Sequence, residues 1–150
     1  MVTLVITICL LITPFIMAFS HCAIIYNKHS ASVYANYFIV FSISSFALMN
    51  AIAYLTDGAS VAQFQGWNFS PAVFQIGLFE LSLFIFSIFA VFKNKSFKAG
   101  FLLFFAIYTV MSSFTLFSGS KLEDGLLGMF IVENVSAFIA YVFYKALYQK

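Results

Sequence analysis

The sequence predicts an all-α protein, a polytopic helical membrane bundle with five transmembrane helices, on three observations. First, 63% of its 150 residues are apolar and only 8% are charged, whereas soluble domains average about 25% charged residues. Second, five apolar segments each approach the roughly 20 residues that cross a bilayer. Third, the lysines fall in alternate connections between these segments. So few charged side chains exclude a soluble, disordered or nucleic-acid-binding protein.

The five segments use nearly the whole chain, so we expect a single transmembrane domain over residues 1–150. The first segment contains Pro14, which neighbouring helices can accommodate. It is interpreted as a span and not as a signal peptide, because no basic residue precedes it. The predicted spans cover residues of about 2–26, 33–56, 71–92, 99–117 and 126–148.

The connection between the second and third spans is the longest in the chain. It carries Phe64, Trp67 and Phe69 among polar residues, a composition typical of segments that lie at the level of the lipid headgroups. We therefore predict these three residues as interfacial anchors. Ser70 followed by Pro71 then has the pattern of a helix N-cap with proline at the first helical position, which opens the third span.

The distribution of lysine predicts the orientation of the chain. With five spans, six of the seven basic residues fall on one side: Lys28, Lys93, Lys95, Lys98, Lys145 and Lys150. The other side holds Lys121 together with Asp57, Glu123 and Asp124. Because cytoplasmic loops are enriched in lysine and arginine, we expect the N-terminus outside and the C-terminus inside. An even number of spans would break the alternation.

Two acidic residues lie near the middle of spans, Glu80 in the third and Glu133 in the fifth. A carboxylate at the centre of a bilayer costs a few kcal/mol, so it normally faces the bundle interior or a wet cavity. At about 1.5 Å per residue, polar side chains of other spans reach a similar depth in the outer half. The predicted intramembrane polar site comprises Glu80, Glu133, Asn134, Asn50, Ser112 and Ser113.

This polar layer has two interpretations. It is either a site for protons or a polar ligand, or a set of neutral carboxyls that act as hydrogen-bond partners between helices. Water access discriminates between them, because a path for protons or solute must hydrate Glu80 or Glu133, whereas structural hydrogen bonds stay dry.

Other chemistry has little support in the sequence. Cys9 and Cys22 lie thirteen residues apart in one span, about 20 Å along a helix, so they cannot form a disulfide. His21 beside Cys22 lacks further metal ligands, and the serines of the second span lack a histidine base at matching depth. We therefore expect no catalytic residues, no bound metal and no cofactor.

The second half of the chain has a characteristic order of features. Trp67-x-x-Ser70-Pro71 is followed by the segment Gln-Ile-Gly-Leu-Phe-Glu-Leu at 75–81 and by a basic turn. The final span begins at Gly125 and carries an acidic residue. This arrangement resembles a family of uncharacterised small bacterial integral membrane proteins, related in style to DoxX-like four-helix proteins. Gly-x-x-Glu-Leu in the third span is its sharpest element. Gln75 and Ser113 stand where such relatives have an acidic residue and a histidine. The resemblance implies a small helical bundle and no established activity.

The favoured function is that of a small non-enzymatic integral membrane protein, which acts by self-association or as a subunit of a membrane complex. With so few residues for each span, a single copy has little room for a translocation path. The alternative is a proton-coupled or small-solute transporter or channel-like subunit that uses the Glu80/Glu133 polar layer. The expected partners are the lipid bilayer and a second copy or another membrane protein, without nucleic acid. The expected location is the cell membrane, as a multi-pass protein of a bacterial plasma membrane.

Overall fold

The computed structural model describes residues 2–26, 30–115 and 124–148, and all regular structure within these ranges is helical. This confirms the all-α prediction. The elements are α1 (Val2–His21) with a π-helical extension (Cys22–Tyr26), α2 (Ala31–Tyr37), a π-helical segment (Phe38–Ser44), α3 (Ser45–Thr56), α4 (Gly58–Phe64), α5 (Pro71–Phe92), α6 (Lys95–Thr115) and α7 (Asp124–Tyr148).

Four helices within the described ranges are long and apolar enough to cross a membrane: Ala31–Thr56, Pro71–Phe92, Lys95–Phe114 and Leu127–Tyr148. The first of these joins α2, the π-helical segment and α3. A shorter apolar helix covers Ile8–Ile24. Several long apolar helices are thus compatible with a membrane protein, whereas the count of five spans and the orientation stay predictions. Lys28, Lys121, Glu123 and Lys150, which enter the orientation argument, lie outside the described residues.

The helix ends follow local hydrogen bonding. The Phe97 N–H donates to Asn94 Oδ1 at 2.9 Å, which is an N-cap interaction, so α6 begins at Lys95, four residues before the predicted span. Ser70 has the extended backbone of an N-cap residue ahead of Pro71, although its hydroxyl makes no capping hydrogen bond there. The end predicted at 117 lies among residues 116–123, which the structure does not describe, and α7 begins at Asp124, two residues before the start predicted at 126.

Pro14 lies inside α1 without ending the helix. Proline has no N–H, so the carbonyl four residues earlier loses its helical hydrogen bond. That carbonyl belongs to Leu10, and Ser42 of the π-helical segment donates its hydroxyl to it at 2.7 Å. The second long helix therefore supplies the hydrogen bond that the first helix lacks.

The helices pack mainly in pairs: α3 against α5, α6 against α7, and α1 against the helix Ala31–Thr56. Gly77 lies where α5 packs closely against α3. A Cβ atom on Gly77 would lie 2.9 Å from both Tyr54 Cβ and Leu55 Cγ. Because glycine has no side chain, the backbone of α5 can lie directly against side chains of α3 at this position.

The apolar core is concentrated in one half of the bundle, where α5 ends and α6 begins. We call this half the packed end. It consists of residues 15–22, 31–44, 84–104 and 137–148. Phe38, Ile39 and Leu102 are fully buried there, and the rings of Phe38 and Phe143 pack with centroids 5.6 Å apart.

Several polar side chains at the packed end are paired with one another, whereas the buried Asn36 Oδ1 has no hydrogen-bond partner among the described residues. The Ser44 and Ser87 hydroxyls lie 2.6 Å apart and join the π-helical segment to α5. Each hydroxyl also lies within hydrogen-bond distance of a carbonyl of its own helix, that of Ile39 for Ser44 and that of Phe84 for Ser87. His21 Nδ1 lies 2.7 Å from the Tyr37 hydroxyl. Apart from Asn36, the polar groups named here are hydrogen-bonded within this close-packed end.

Candidate functional site

The opposite half of the bundle contains a cavity of about 550 Å³, a volume within the range of small-molecule sites. We call this half the cavity end. Helix α3 and the C-terminal half of α6 meet the N-terminal halves of α5 and α7 there, because consecutive long helices run in opposite directions. The connection that follows α4 adds Gln65 and Trp67 to the wall.

Glu80 reaches the cavity from the buried stripe of α5. Val73, Gly77, Glu80 and Leu83 recur at helical spacing on that stripe, and only 6% of Glu80 is exposed. The Tyr108 hydroxyl of α6 donates a hydrogen bond of 2.7 Å to Glu80 Oε1.

Asn50 of α3 lines the same cavity as the Glu80 carboxyl. Three helices therefore contribute polar side chains to the cavity, through Asn50, Glu80 and Tyr108.

Glu133 reaches the same cavity from α7. Its Oε2 atom is buried and has no hydrogen-bond partner among the described residues. Glu80 and Glu133 are close enough to interact electrostatically. Within the described part of the chain, no lysine or histidine lines the cavity. The two carboxyls thus share a space without a compensating cation.

A second polar pair closes the cavity toward α4. The Gln65 side-chain amide donates to the Tyr54 hydroxyl at 2.9 Å, and only 8% of Gln65 is exposed. Gly66 follows with φ of 70°, a left-handed conformation that glycine adopts without steric cost. This residue turns the chain between the two wall residues, Gln65 and Trp67.

Four of the six predicted polar residues line the cavity: Asn50, Glu80, Ser112 and Glu133. The other two lie beside it and join α6 to α7, because Asn134 donates its side-chain amide to the fully buried Ser113 hydroxyl at 3.2 Å. The structure therefore brings all six to one end of the bundle. A binding role for this group stays a prediction.

The three predicted anchors differ in their environment. Phe64 and Phe69 are exposed, whereas Trp67 is half-buried and lines the cavity. The exposure of the two phenylalanines is compatible with a position at the lipid headgroups. That position stays a prediction for all three residues.

Sequence reasoning missed Tyr54, Gln65 and Tyr108. Tyr108 lies one helical turn before Ser112, so the depth argument that selected Ser112 also covers Tyr108. Tyr54 lies one turn after Asn50 in the same way. Gln65 carries no comparable signal, because it precedes the third span in a connection of undetermined path.

The chemistry of this arrangement is that of proton and cation acceptance. Carboxylates accept protons and hydrogen bonds and pair with cations. Among the described residues no group of three or more histidine, cysteine, aspartate or glutamate side chains is placed to hold a metal ion.

Residues 4–116 match a family of unknown function. The chain belongs to DUF6790. The expectation of an uncharacterised family is confirmed, whereas a DoxX-like relationship is not shown. The DUF6790 match includes Asn50, Glu80 and Tyr108 and ends before α7, so Glu133 lies beyond the matched region. No curated protein and no solved structure matches the chain significantly.

Proposed function

We propose that this DUF6790 member is a non-enzymatic integral membrane protein that binds protons and a small solute in the cavity around Glu80 and Glu133. This is the transporter or channel-like alternative of the sequence analysis. The observation that carries it is the cavity itself, in which two carboxyls from different helices face a space large enough for a small molecule.

The partners of the two carboxyls favour this proposal over purely structural hydrogen bonding. A structural role explains Glu80, because Tyr108 donates to it. It does not explain Glu133, whose buried Oε2 has no partner among the described residues. An unpaired polar atom inside a bilayer costs several kcal/mol. Oε2 itself is closed to water in this conformation, so a shift of the half-buried Glu133 side chain into the cavity would bring that atom to water or solute.

The proposal includes five spans, with α1 as the first, in a bacterial plasma membrane. It places the N-terminus outside and the C-terminus inside. The cavity end then lies in the outer half of the membrane, and the turn at Lys93 and Asn94 lies inside. Lysine enrichment on that side supports the orientation, and the DoxX-like resemblance is consistent with a small helical bundle.

Association with a second copy or with a membrane complex is the second candidate function. Asn50 supports it, because this polar residue is exposed at the rim of the cavity beside Met49 and Met111. Polar side chains exposed to lipid often form hydrogen bonds between helices of different chains. A partner that covers the rim would shield Asn50 from the bilayer.

Water access to the cavity tests the proposed function. Ser112 lines the cavity, whereas its neighbour Ser113 is fully buried beside it. In a background without Cys9 and Cys22, we expect a water-soluble maleimide to modify Ser112→Cys in membranes and to leave Ser113→Cys unmodified. Ser136→Cys, also on the cavity wall, should react as well.

Matched expression and thermal stability of these variants serve as the control. Lack of modification at both Ser112→Cys and Ser136→Cys would show a dry interior. It would overturn the proposed function in favour of structural hydrogen bonding.

The orientation is tested by cysteines introduced in the two connections. Ala59 and Ser60 in α4 are exposed, as are Asn94 and Ser96 at the start of α6. We expect an impermeant thiol reagent to label the first pair only from outside and the second pair only from inside. Labelling of both pairs from the same side would contradict the orientation and the count of spans.

The anchors are tested through Trp67, which is the only tryptophan in the chain. We expect lipids that carry a quencher near the headgroup to reduce its fluorescence more than lipids quenched at the chain end. Insensitivity to both lipid quenchers, together with strong quenching by aqueous iodide, would contradict an interfacial position.

A further inference from the structure

The charges of the cavity indicate what kind of solute it accepts. The titratable groups that face it are Tyr54 from α3, Glu80 from α5, Tyr108 from α6 and Glu133 from α7, while the connection after α4 contributes only uncharged side chains. Every formal charge available on these groups near neutral pH is therefore negative. A solute that carries a positive charge would complement them, and an anion would be repelled.

The rest of the wall indicates the shape of that solute. Five aromatic side chains line the cavity: Phe46, Tyr54, Trp67, Phe105 and Tyr108. Three methionines, Met49, Met111 and Met129, add polarisable apolar surface that adapts to different shapes. Aromatic faces attract ammonium groups, and more strongly where water is excluded.

We infer that the cavity binds a small organic cation, an ammonium group on an apolar body, in exchange for a proton. The inference rests on the proposed function, because it names the class of solute for the same cavity. The ammonium group pairs with the carboxylate of Glu133 or Glu80, and the apolar body packs against the aromatic rings and methionines.

An inorganic cation fits this wall less well. Calcium takes six to eight oxygen ligands, and magnesium keeps an octahedral shell of oxygens. The cavity offers two carboxyls and a few hydroxyl and amide groups among mostly apolar side chains. An organic cation satisfies both the negative charge and the apolar surface.

Exchange with a proton follows from charge balance. A carboxyl that releases its proton to water becomes the negative partner of the incoming ammonium group, so the net charge of the cavity stays constant. The same oxygen atoms cannot hold a proton and the cation at once. Cation binding should therefore weaken as the pH falls.

Trp67 gives a direct readout of binding, because it is the only tryptophan and lies on the cavity wall. Purified protein in detergent is titrated with phenyltrimethylammonium, with its neutral isostere tert-butylbenzene and with benzenesulfonate, and excited at the red edge of tryptophan absorption. We expect saturable quenching by the cation, with at least tenfold weaker effects of the neutral and anionic probes. Equal effects of the cation and the neutral isostere would overturn the inference.

Charge-removing variants identify the partner of the cation. We expect Glu133→Gln to weaken binding of phenyltrimethylammonium at least tenfold and Glu80→Gln to weaken it less, because Tyr108 already engages that carboxyl. Asp57→Asn is the matched control. It removes one negative charge at the exposed C-terminal end of α3, outside the cavity wall, and should leave binding unchanged. Unaltered affinity in both glutamate variants would overturn the inference.

The pH dependence tests the exchange and does not depend on any variant. One proton released per cation bound makes the apparent Kd rise by up to about tenfold for each unit of falling pH. Constant affinity from pH 8 to pH 5 would overturn the exchange, also if the glutamate variants fail to fold.

Failure of this inference and failure of the proposed function are distinguishable. Modified Ser112→Cys without cation-selective quenching leaves a hydrated cavity with a solute of another class, which overturns only the inference. Unmodified Ser112→Cys and Ser136→Cys overturn both.

Discussion

The two ends of this bundle share the same helices but solve the burial of polar groups in different ways. At the packed end, hydroxyls such as those of Ser44 and Ser87 meet each other at 2.6 Å within an apolar core, where Asn36 Oδ1 is also buried without a partner among the described residues. At the cavity end, two carboxyls face an open space, and Glu133 Oε2 has no partner among the described residues. The comparison indicates that one half of the bundle secures the fold, while the other half accommodates groups that add little stability.

Side-chain size explains the difference. Small residues at the packed end, including Ala35, Ala90 and Ala140, are fully buried and let the helices approach while Phe38 fills the remaining space. At the cavity end, Gly77 brings α3 and α5 together on one side only. On the other walls, α6 and α7 contribute larger side chains such as Phe105, Tyr108 and Met129.

The largest effect is expected from a cavity created at the packed end. Phe38 is fully buried, so Phe38→Ala should lower the free energy of unfolding by about 3 to 5 kcal/mol. Phe89, which is 58% exposed, provides the matched control, and Phe89→Ala should change it by less than about 0.5 kcal/mol. Unfolding in mixed detergent measures both. Similar losses for the two variants would remove the distinction between core and surface.

The next largest effect concerns the contact that closes one side of the cavity end. Gly77→Ala would place Cβ 2.9 Å from Tyr54 Cβ and Leu55 Cγ, and overpacking of this kind costs about 1 to 3 kcal/mol. A Cβ atom on Gly100 would meet no atom within 4 Å, so Gly100→Ala should be neutral or stabilising by up to about 1 kcal/mol. Thermal unfolding in detergent compares the two variants. A neutral Gly77→Ala would mean that α3 and α5 can separate without loss.

A smaller effect is expected at the hydrogen bond between α5 and α6. Glu80→Leu leaves the Tyr108 hydroxyl without its acceptor and should cost about 1 kcal/mol. Glu80→Gln should cost less, because an amide oxygen still accepts the hydrogen bond. Tyr108→Phe combined with Glu80→Leu should cost less than the sum of the two single variants. Strict additivity in thermal unfolding would show that this hydrogen bond contributes nothing to stability.

The smallest effect is expected at the hydrogen bond from Ser42 to the Leu10 carbonyl, which replaces the one that Pro14 removes from α1. Ser42→Ala should cost about 0.6 kcal/mol, the average for hydrogen bonds between helices in a membrane protein. In a Pro14→Ala background, residue 14 regains an N–H for the Leu10 carbonyl, so Ser42→Ala should cost less. Equal costs of Ser42→Ala in the two backgrounds would contradict the role assigned to Ser42.

The sequence was sufficient for properties that depend on one helix at a time. The depth of Glu80 and Glu133 follows from rise per residue alone, and both occur at the same end of the bundle. The partner of Glu80 depends on how α5 and α6 rotate against each other, and spacing along one helix does not determine that rotation. Tyr108 was therefore missed.

The hydrogen bond that Pro14 removes from α1, and the one that replaces it, show the same limit of prediction from sequence. Pro14 alone predicts that the Leu10 carbonyl lacks a helical donor. Three serines of the second span, at 42, 44 and 45, were equally able to supply one, and only the packing of that span selects Ser42. The early start of α6 was missed for another reason, since the span was predicted from its apolar residues, which begin at about residue 99, whereas the cap that starts the helix is the polar Asn94.

The Leu10 carbonyl also imposes an order on biogenesis in the proposed membrane setting. When α1 enters the bilayer during synthesis, Pro14 leaves this carbonyl without a donor, and its partner Ser42 lies 32 residues further along the chain. The first helix therefore gains its full complement of hydrogen bonds only after the second has followed it. These two helices should leave the insertion machinery as one hairpin, onto which the later helices assemble.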